Sequence, residues 1–191
     1  AKDEKDSLSN TKDSIEKIVK ENPKFEEMSI YIEVKVTDDG LRIDLLEGKE
    51  SLFFDSGSAQ VKTATEDLLG SIAKELGKLP NKVVVEGHTD NRPLSRGNNY
   101  TNWELSADRA NAARRIMESS GLRGDQITQV RGYADTQPRN PDNPSHFSNR
   151  RVSIIVESAN ATVKRIFDEI KTGASNTEPA EKIKKKSKSA H

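Results

Sequence analysis

Between residues 65 and 120 the apolar side chains change period twice, and few folds accommodate that order. Leu68, Leu69, Ile72, Ala73, Leu76 and Leu79 recur at helical spacing in one stripe over 65–79, and Pro80 closes it. Val83, Val84 and Val85 then run together as in a buried strand over 83–86. A polar loop follows Gly87, and a second helix begins near Trp103. Thr101 and Glu104 stand in the T-x-x-E relation of a capping box, which ties down orphan N–H groups at the helix start. Gly121 supplies a left-handed stop. Ile127 to Tyr133 reads as the next strand and Val152 to Val156 as the last, with Pro138, Pro141 and Pro144 making the stretch between them a loop. Strands alternating with two long one-sided helices predict an α/β (α+β) two-layer sandwich, with helices on one face of a sheet.

The flanks are more polar. Residues 1 to about 10 are expected to fray. Ile15, Ile18 and Val19 predict a short amphipathic helix that ends before Asn22-Pro23. Ser29 to Val36 alternates as a strand, with Ile30, Ile32, Val34 and Val36 on one side. Asp38-Asp39-Gly40 signals a turn, and Leu41, Ile43 and Leu45 alternate along 41–46, so the two strands read as a hairpin. Val163, Ile166, Phe167 and Ile170 predict a short helix after the core. The expected division is therefore a linker segment over 1–39, a domain over 40–158, a helix over 159–177 and a disordered basic tail over 178–191.

Composition removes several function classes. Lys plus Arg and Asp plus Glu each number 31, so no net field favours nucleic acid or an anionic membrane. Five lysines fall within 182–188 without interleaved aromatics, and a solvated tail accounts for them. The absence of cysteine rules out disulfides and thiolate metal sites. No run approaches the roughly 20 apolar residues of a spanning helix, because Glu33 and Lys35 interrupt the most apolar N-terminal stretch. Ala1 to Asn10 lacks the apolar region of a signal peptide.

The chemistry concentrates in 87–115. Asp90 lies just past a strand end, and Arg109 lies about two turns into the following helix. A carboxylate and a guanidinium held near each other by separate elements can grip a zwitterion: the acid takes an ammonium and the guanidinium takes a carboxylate. The plainer roles are a turn cap for Asp90 and a surface ion pair for Arg109.

The motifs around these residues resemble the OmpA-like peptidoglycan-binding domain. That family's G-x-T-D reads here as Gly87, Thr89 and Asp90. Its N-x-x-L-S-x-x-R-A reads as Asn102, Leu105, Ser106, Arg109 and Ala110, and its N-R-R-V as Asn149, Arg150, Arg151 and Val152. Phe53 to Ala59 is similar to the family's opening F-x-x-x-S-A, and the likeness covers about residues 40 to 158. Tyr100 to Ala112 and the long loop between Asp90 and Asn102 look most like the MotB branch, the peptidoglycan-anchored stator subunits of the flagellar motor.

The resemblance implies a mixed sheet, no catalysis, no cofactor and no metal. It implies binding of stem peptides that carry meso-diaminopimelate, with Asp90 on the ammonium and Arg109 on the carboxylate. Thr89 and Asn102 would line the pocket, Leu105 would pack under it, and Arg150 would reach a stem-peptide carboxylate. Alternation on a strand leaves Arg151 as the other candidate for that last role. Asn102 also suits a helix start, and Trp103 suits core or interface better than sugar stacking. Family partners would be a second copy in a homodimer and the channel subunit MotA. Membrane contact would come only through an N-terminal helix not seen in these 191 residues. They are then expected to be a periplasmic part of a single-pass inner-membrane protein. A general envelope tether of the OmpA or Pal type is the alternative.

Three enzyme signals are weaker. Asp55-Ser56-Gly57 has no second D-[ST]-G to share a proton. His88 and Asp90 lack a third zinc ligand, with only His146 and His191 remaining. Ser56 and Ser58 complete no G-x-S-x-G elbow.

Overall fold

A computed structural model describes residues 2–94, 97 and 99–175. The elements are helix α1 (Lys2–Glu21), strands β1 (Ile32–Thr37) and β2 (Gly40–Leu46), helix α2 (Thr63–Leu76), β3 (Val83–His88), α3 (Asn102–Ser120), β4 (Ile127–Gly132), β5 (Arg151–Glu157) and α4 (Ala159–Ser175). Short 3-10 segments occupy Pro23–Tyr31 and Phe147–Asn149. The sheet order is β1-β2-β5-β3-β4. β3 and β4 run parallel around α3, and the other neighbours are antiparallel, so the sheet is mixed.

One face of the sheet carries the core. Leu41, Ile43 and Leu45 of β2, Val83 and Val85 of β3, and Val152, Ile154 and Val156 of β5 alternate onto it. Leu68, Leu69, Ile72, Ala73 and Leu76 of α2 and Ala110, Ala113 and Met117 of α3 pack against them. The expected two-layer α/β arrangement is the one observed for α1, α2 and α3, which share the core face, whereas α4 lies on the other. Leu79 is buried as well, but α2 stops at Leu76 and turns at Gly77, earlier than Pro80 suggests.

The opposite face is polar. Asp44, Glu86, His88 and Ser153 are buried there beneath Arg42 and Arg131. α4 lies along this face through polar links, Arg165 to Glu157 (3.0 Å) and Gln129 to Glu169 (2.8 Å), and leaves Val163, Ile166, Phe167 and Ile170 exposed.

Two N-terminal expectations are corrected. Residues 2–10 do not fray but form the first half of the 20-residue α1, whose Leu8, Thr11, Ile15 and Val19 share one buried stripe. Leu8, Ile15, Val19, Phe25 and Met28 belong to the same core cluster as the 40–158 domain. Residues 29–31 are not strand, because the 3-10 segment that Asn22 caps runs to Tyr31 and leaves Ile30 80% exposed. The hairpin turn and the alternation of Leu41, Ile43 and Leu45 are as expected. The expected basic tail, 178–191, lies outside the described residues.

α3 can approach β3 and β4 this closely only because two strand positions lack a side chain. A Cβ at Gly87 would lie 1.9 Å from the Ser106 carbonyl oxygen, and one at Gly132 would lie 2.7 Å from the Ala107 nitrogen. Both obstacles are backbone and cannot rotate away. Gly87→Ala should therefore destabilise the fold by about 3 kcal/mol. Gly124→Ala, which meets nothing within 4 Å, should change stability by less than about 0.5 kcal/mol. Urea denaturation midpoints of the two variants test the contrast.

Candidate functional site

The close packing of α3 on β3 decides what lies at the carboxyl end of β3. Ser106, pressed against Gly87, accepts the Ala134 N–H at its Oγ (3.0 Å), and Ala134 in turn accepts the Thr89 N–H (2.9 Å). The chain leaving β3 is thereby tied to α3 through Thr89. The capping box expected at Thr101 and Glu104 is present, and Gly121 ends α3 with a positive φ of 134°. Asn102, the first helical residue, donates to the carbonyls of Arg92 (3.0 Å) and Asp90 (3.4 Å), which fastens the loop to the start of α3.

Thr89, Asp90, Asn102, Leu105, Arg109 and Arg150 all line one cavity of about 670 Å³. Lys49, Asp55, Lys62 and Arg92 complete much of its wall. Arg151, the other candidate for the last strand, is not there. Its guanidinium donates to the carbonyls of Asn149 (3.3 Å) and Gln137 (3.0 Å). Trp103 is 55% exposed, which removes a core role, and it does not line the cavity.

Arg109 is buried and does not make a surface ion pair. Nε donates to the Ser58 carbonyl (2.8 Å), Nη2 to the Asp55 carbonyl (3.3 Å), and the guanidinium carbon stands 5.0 Å from the Phe54 ring centroid. No described residue accepts a hydrogen bond from Nη1. Burial lowers the Arg109 pKa below the ordinary guanidinium value, and the negative charge of Glu47 opposes that shift.

Glu47 was missed in the sequence. Its carboxylate accepts the N–H groups of Leu52 (2.5 Å), Phe53 (3.2 Å) and Phe54 (3.1 Å), and its own N–H donates to the Arg150 carbonyl (2.9 Å). Glu47 thus fixes the segment under Arg109 through its carboxylate and the backbone of Arg150 through its own N–H. In sequence Asn149 stands out only as the first residue of the N-R-R-V motif. It is fully buried and organises the proline loop by accepting from the Asn140 N–H and donating to the carbonyls of Asn143 and Pro144.

Asp90 is engaged as well. Oδ1 accepts the Arg92 N–H (3.0 Å), Oδ2 accepts the Arg92 guanidinium (2.7 and 3.1 Å), and Arg150 Nε stands 3.4 Å from Oδ2. Arg150 Nη2 donates to the Gly48 carbonyl (2.9 Å). Two buried polar atoms of the wall, Thr89 Oγ1 and Arg150 Nε, have no hydrogen-bond partner among the described residues. In native proteins such groups call for an explanation, and a bound polar ligand is one.

The enzyme-like signals disperse. His88 points to the polar face of the sheet, stacked on Tyr133 (5.1 Å), while Asp90 faces the cavity. Among the described residues no three His, Asp or Glu side chains gather as a metal site. No described helix is long and apolar enough to cross a membrane.

Against this geometry, the family model described as "OmpA family" matches residues 53–151. The chain belongs to the OmpA family. OmpA-family domains of this kind bind and do not catalyse. Motility protein B of Escherichia coli K12 is 34% identical over 154 residues, covering 80% of this chain and 50% of that protein. The chain thus spans about half the length of the curated relatives it matches. The cell wall anchor of the T6SS from Pseudomonas aeruginosa is 30% identical, with a TM-score of 0.59 over 70% of this chain and 92% of that one. The periplasmic domain of Helicobacter pylori MotB shares the fold at 23% identity, with a TM-score of 0.58 over 74% of this chain and 98% of that one.

The neighbourhood of His88 carries a pH consequence. Burial lowers its pKa below the ordinary 6.5, Glu86 opposes the shift through a 3.4 Å contact, and Arg151 and Arg42 reinforce it. Below pH 6.5 the unfolded chain therefore binds a proton that the folded chain resists, so this contribution is present above 6.5 and lost as pH falls. Unfolding free energy should decline between pH 7 and 5.5, and His88→Gln should flatten that slope. Equal slopes in urea titrations of the two proteins would contradict it.

Proposed function

We propose that this chain is a non-catalytic peptidoglycan-binding module. It would anchor a flagellar motor stator to the cell wall from the periplasm by holding the diaminopimelate end of a stem peptide. The observation that carries the reading is the convergence of Asp90 and Arg109, from two elements, on one polar cavity with Thr89, Asn102, Leu105 and Arg150. Asp90 would take the ammonium. Arg109 would present Nη1 to the carboxylate, its other nitrogens already fixed on backbone carbonyls. That anchoring reduces the entropy lost when a carboxylate is clasped. Thr89 Oγ1 and Arg150 Nε would gain the partners they lack. Leu105, buried at the cavity floor, would give the ligand's methylenes an apolar contact.

Support for the wall as target comes from likeness to a protein described as a cell wall anchor, and for the motor from likeness to Motility protein B. The wall-binding unit of this reading is 40–158, and because α1 and β1 pack into its core and sheet, 1–39 would act as part of that unit and not as an extended spacer. A homodimer would raise the effective concentration of the second site once the first is bound. MotA would be the channel partner of the whole stator.

Asp90→Ala should lose at least about tenfold in co-sedimentation with purified diaminopimelate-type sacculi, the scale of one charge-assisted contact, with an unchanged circular dichroism spectrum. Arg109→Ala should lose binding equally but also destabilise the fold by about 2 kcal/mol, because it leaves the Ser58 and Asp55 carbonyls without a donor. Wild-type sedimentation by Asp90→Ala would refute the assignment.

A further inference from the structure

The cavity wall holds five cationic side chains against three anionic ones among its described residues, and one cation is placed unlike the rest. Arg92 grips Asp90 Oδ2 through Nη2 (2.7 Å) and Nε (3.1 Å), while its backbone N–H takes Oδ1 (3.0 Å). Both carboxylate oxygens are thus occupied by a single residue. The two partners differ sharply in exposure, 59% for the Arg92 side chain and 7% for that of Asp90. Arg150, the second cation near Oδ2, is fastened to the Gly48 carbonyl and only 15% exposed. Asp90 is the only described acceptor of the Arg92 guanidinium.

We propose that Arg92 is a resident competitor. Its guanidinium occupies the position that a ligand ammonium would take on Asp90 and swings into solvent when the ligand binds. This deepens the reading of the cavity as a zwitterion site and rests on it. Oδ2 already takes two guanidinium nitrogens, which fill its two lone-pair directions, so an ammonium approaching that oxygen competes with Arg92 for it. The ligand must therefore displace the cation that is cheapest to move. Arg92 is that cation, since water solvates its head already and a half-exposed ion pair contributes little. Its effect is selective. A neutral amine or amide cannot drive the exchange, so Arg92 screens the acid against ligands without a formal positive charge.

The test uses the 191-residue chain and two synthetic stem tripeptides ending in meso-diaminopimelate, one with a free side-chain amine and one with that amine acetylated. Calorimetric titration should show Arg92→Gln binding the free-amine peptide about fivefold tighter than wild type, the scale of one exposed ion pair. Affinity for the acetylated peptide should stay within about twofold. The double variant Asp90→Ala, Arg92→Gln should lose the gain, since no carboxylate remains to be freed. Equal tightening for both peptides would overturn the proposal, because Arg92 would then only obstruct the cavity. Weaker binding of either peptide, or no change, would also overturn it. Full wild-type affinity of Asp90→Ala for the free-amine peptide would instead refute the zwitterion site itself and leave no ammonium position for Arg92 to occupy.

Discussion

Everything at the carboxyl end of β3 depends on how near the α3 backbone comes to the sheet. Helices usually ride on a sheet across an intervening layer of interlocked side chains. Here the Ser106 carbonyl would stand 1.9 Å from a Cβ at position 87, and the Ala107 backbone under 3 Å from one at position 132. Removing two methyl groups lowers α3 onto β3 and β4, and the small residues Ala110 and Ala113 continue the contact. Lowering the helix has a chemical result. It brings Arg109 into the interior, out of water, at the level where Asp90 leaves the strand.

A buried guanidinium is costly unless its hydrogens are taken up and a negative charge lies near. Both conditions are met by one short segment. Glu47 gathers three successive N–H groups at Leu52, Phe53 and Phe54, which bends the chain so that the carbonyls of Asp55 and Ser58 face Arg109. The same carboxylate counters the effect of burial on Arg109. Positioning and electrostatics are therefore a single device.

Much of this was legible, for particular reasons. The stripe from Leu68 to Leu76, the three valines of β3 and the capping box at Thr101 are local signals, and local signals survive folding. Asp90 and Arg109 were legible from their places after a strand and in a helix, while Thr89, Asn102, Leu105 and Arg150 were legible only through the resemblance to the OmpA-like domain; all six line one cavity. What escaped notice was set by distant partners. Thr11 carries the α1 stripe between Leu8 and Ile15, and a threonine does not announce burial, so the first half of the helix read as polar coil. Ile30 completes an alternating pattern, yet the 3-10 segment begun at Asn22-Pro23 uses those residues first. Glu47 and Arg92 are ordinary surface types in sequence. Only the backbone that surrounds one and the carboxylate that receives the other give them roles.

The two halves of the cavity differ in how strongly salt acts on them. Arg109 is buried, and charges removed from water are only weakly screened. The Asp90 half is governed by Arg92, whose side chain is mostly in solvent, where the Debye length is about 8 Å at physiological ionic strength. Raising ionic strength therefore weakens the internal pair and an incoming ammonium's attraction together, and the two effects oppose each other in the balance for Asp90. A ligand carboxylate at Arg109 would meet no such internal rival among the described residues. On the proposed reading, the anionic end of a ligand would meet a buried charge already fixed on backbone carbonyls, while exchange with Arg92 would set selectivity at the cationic end.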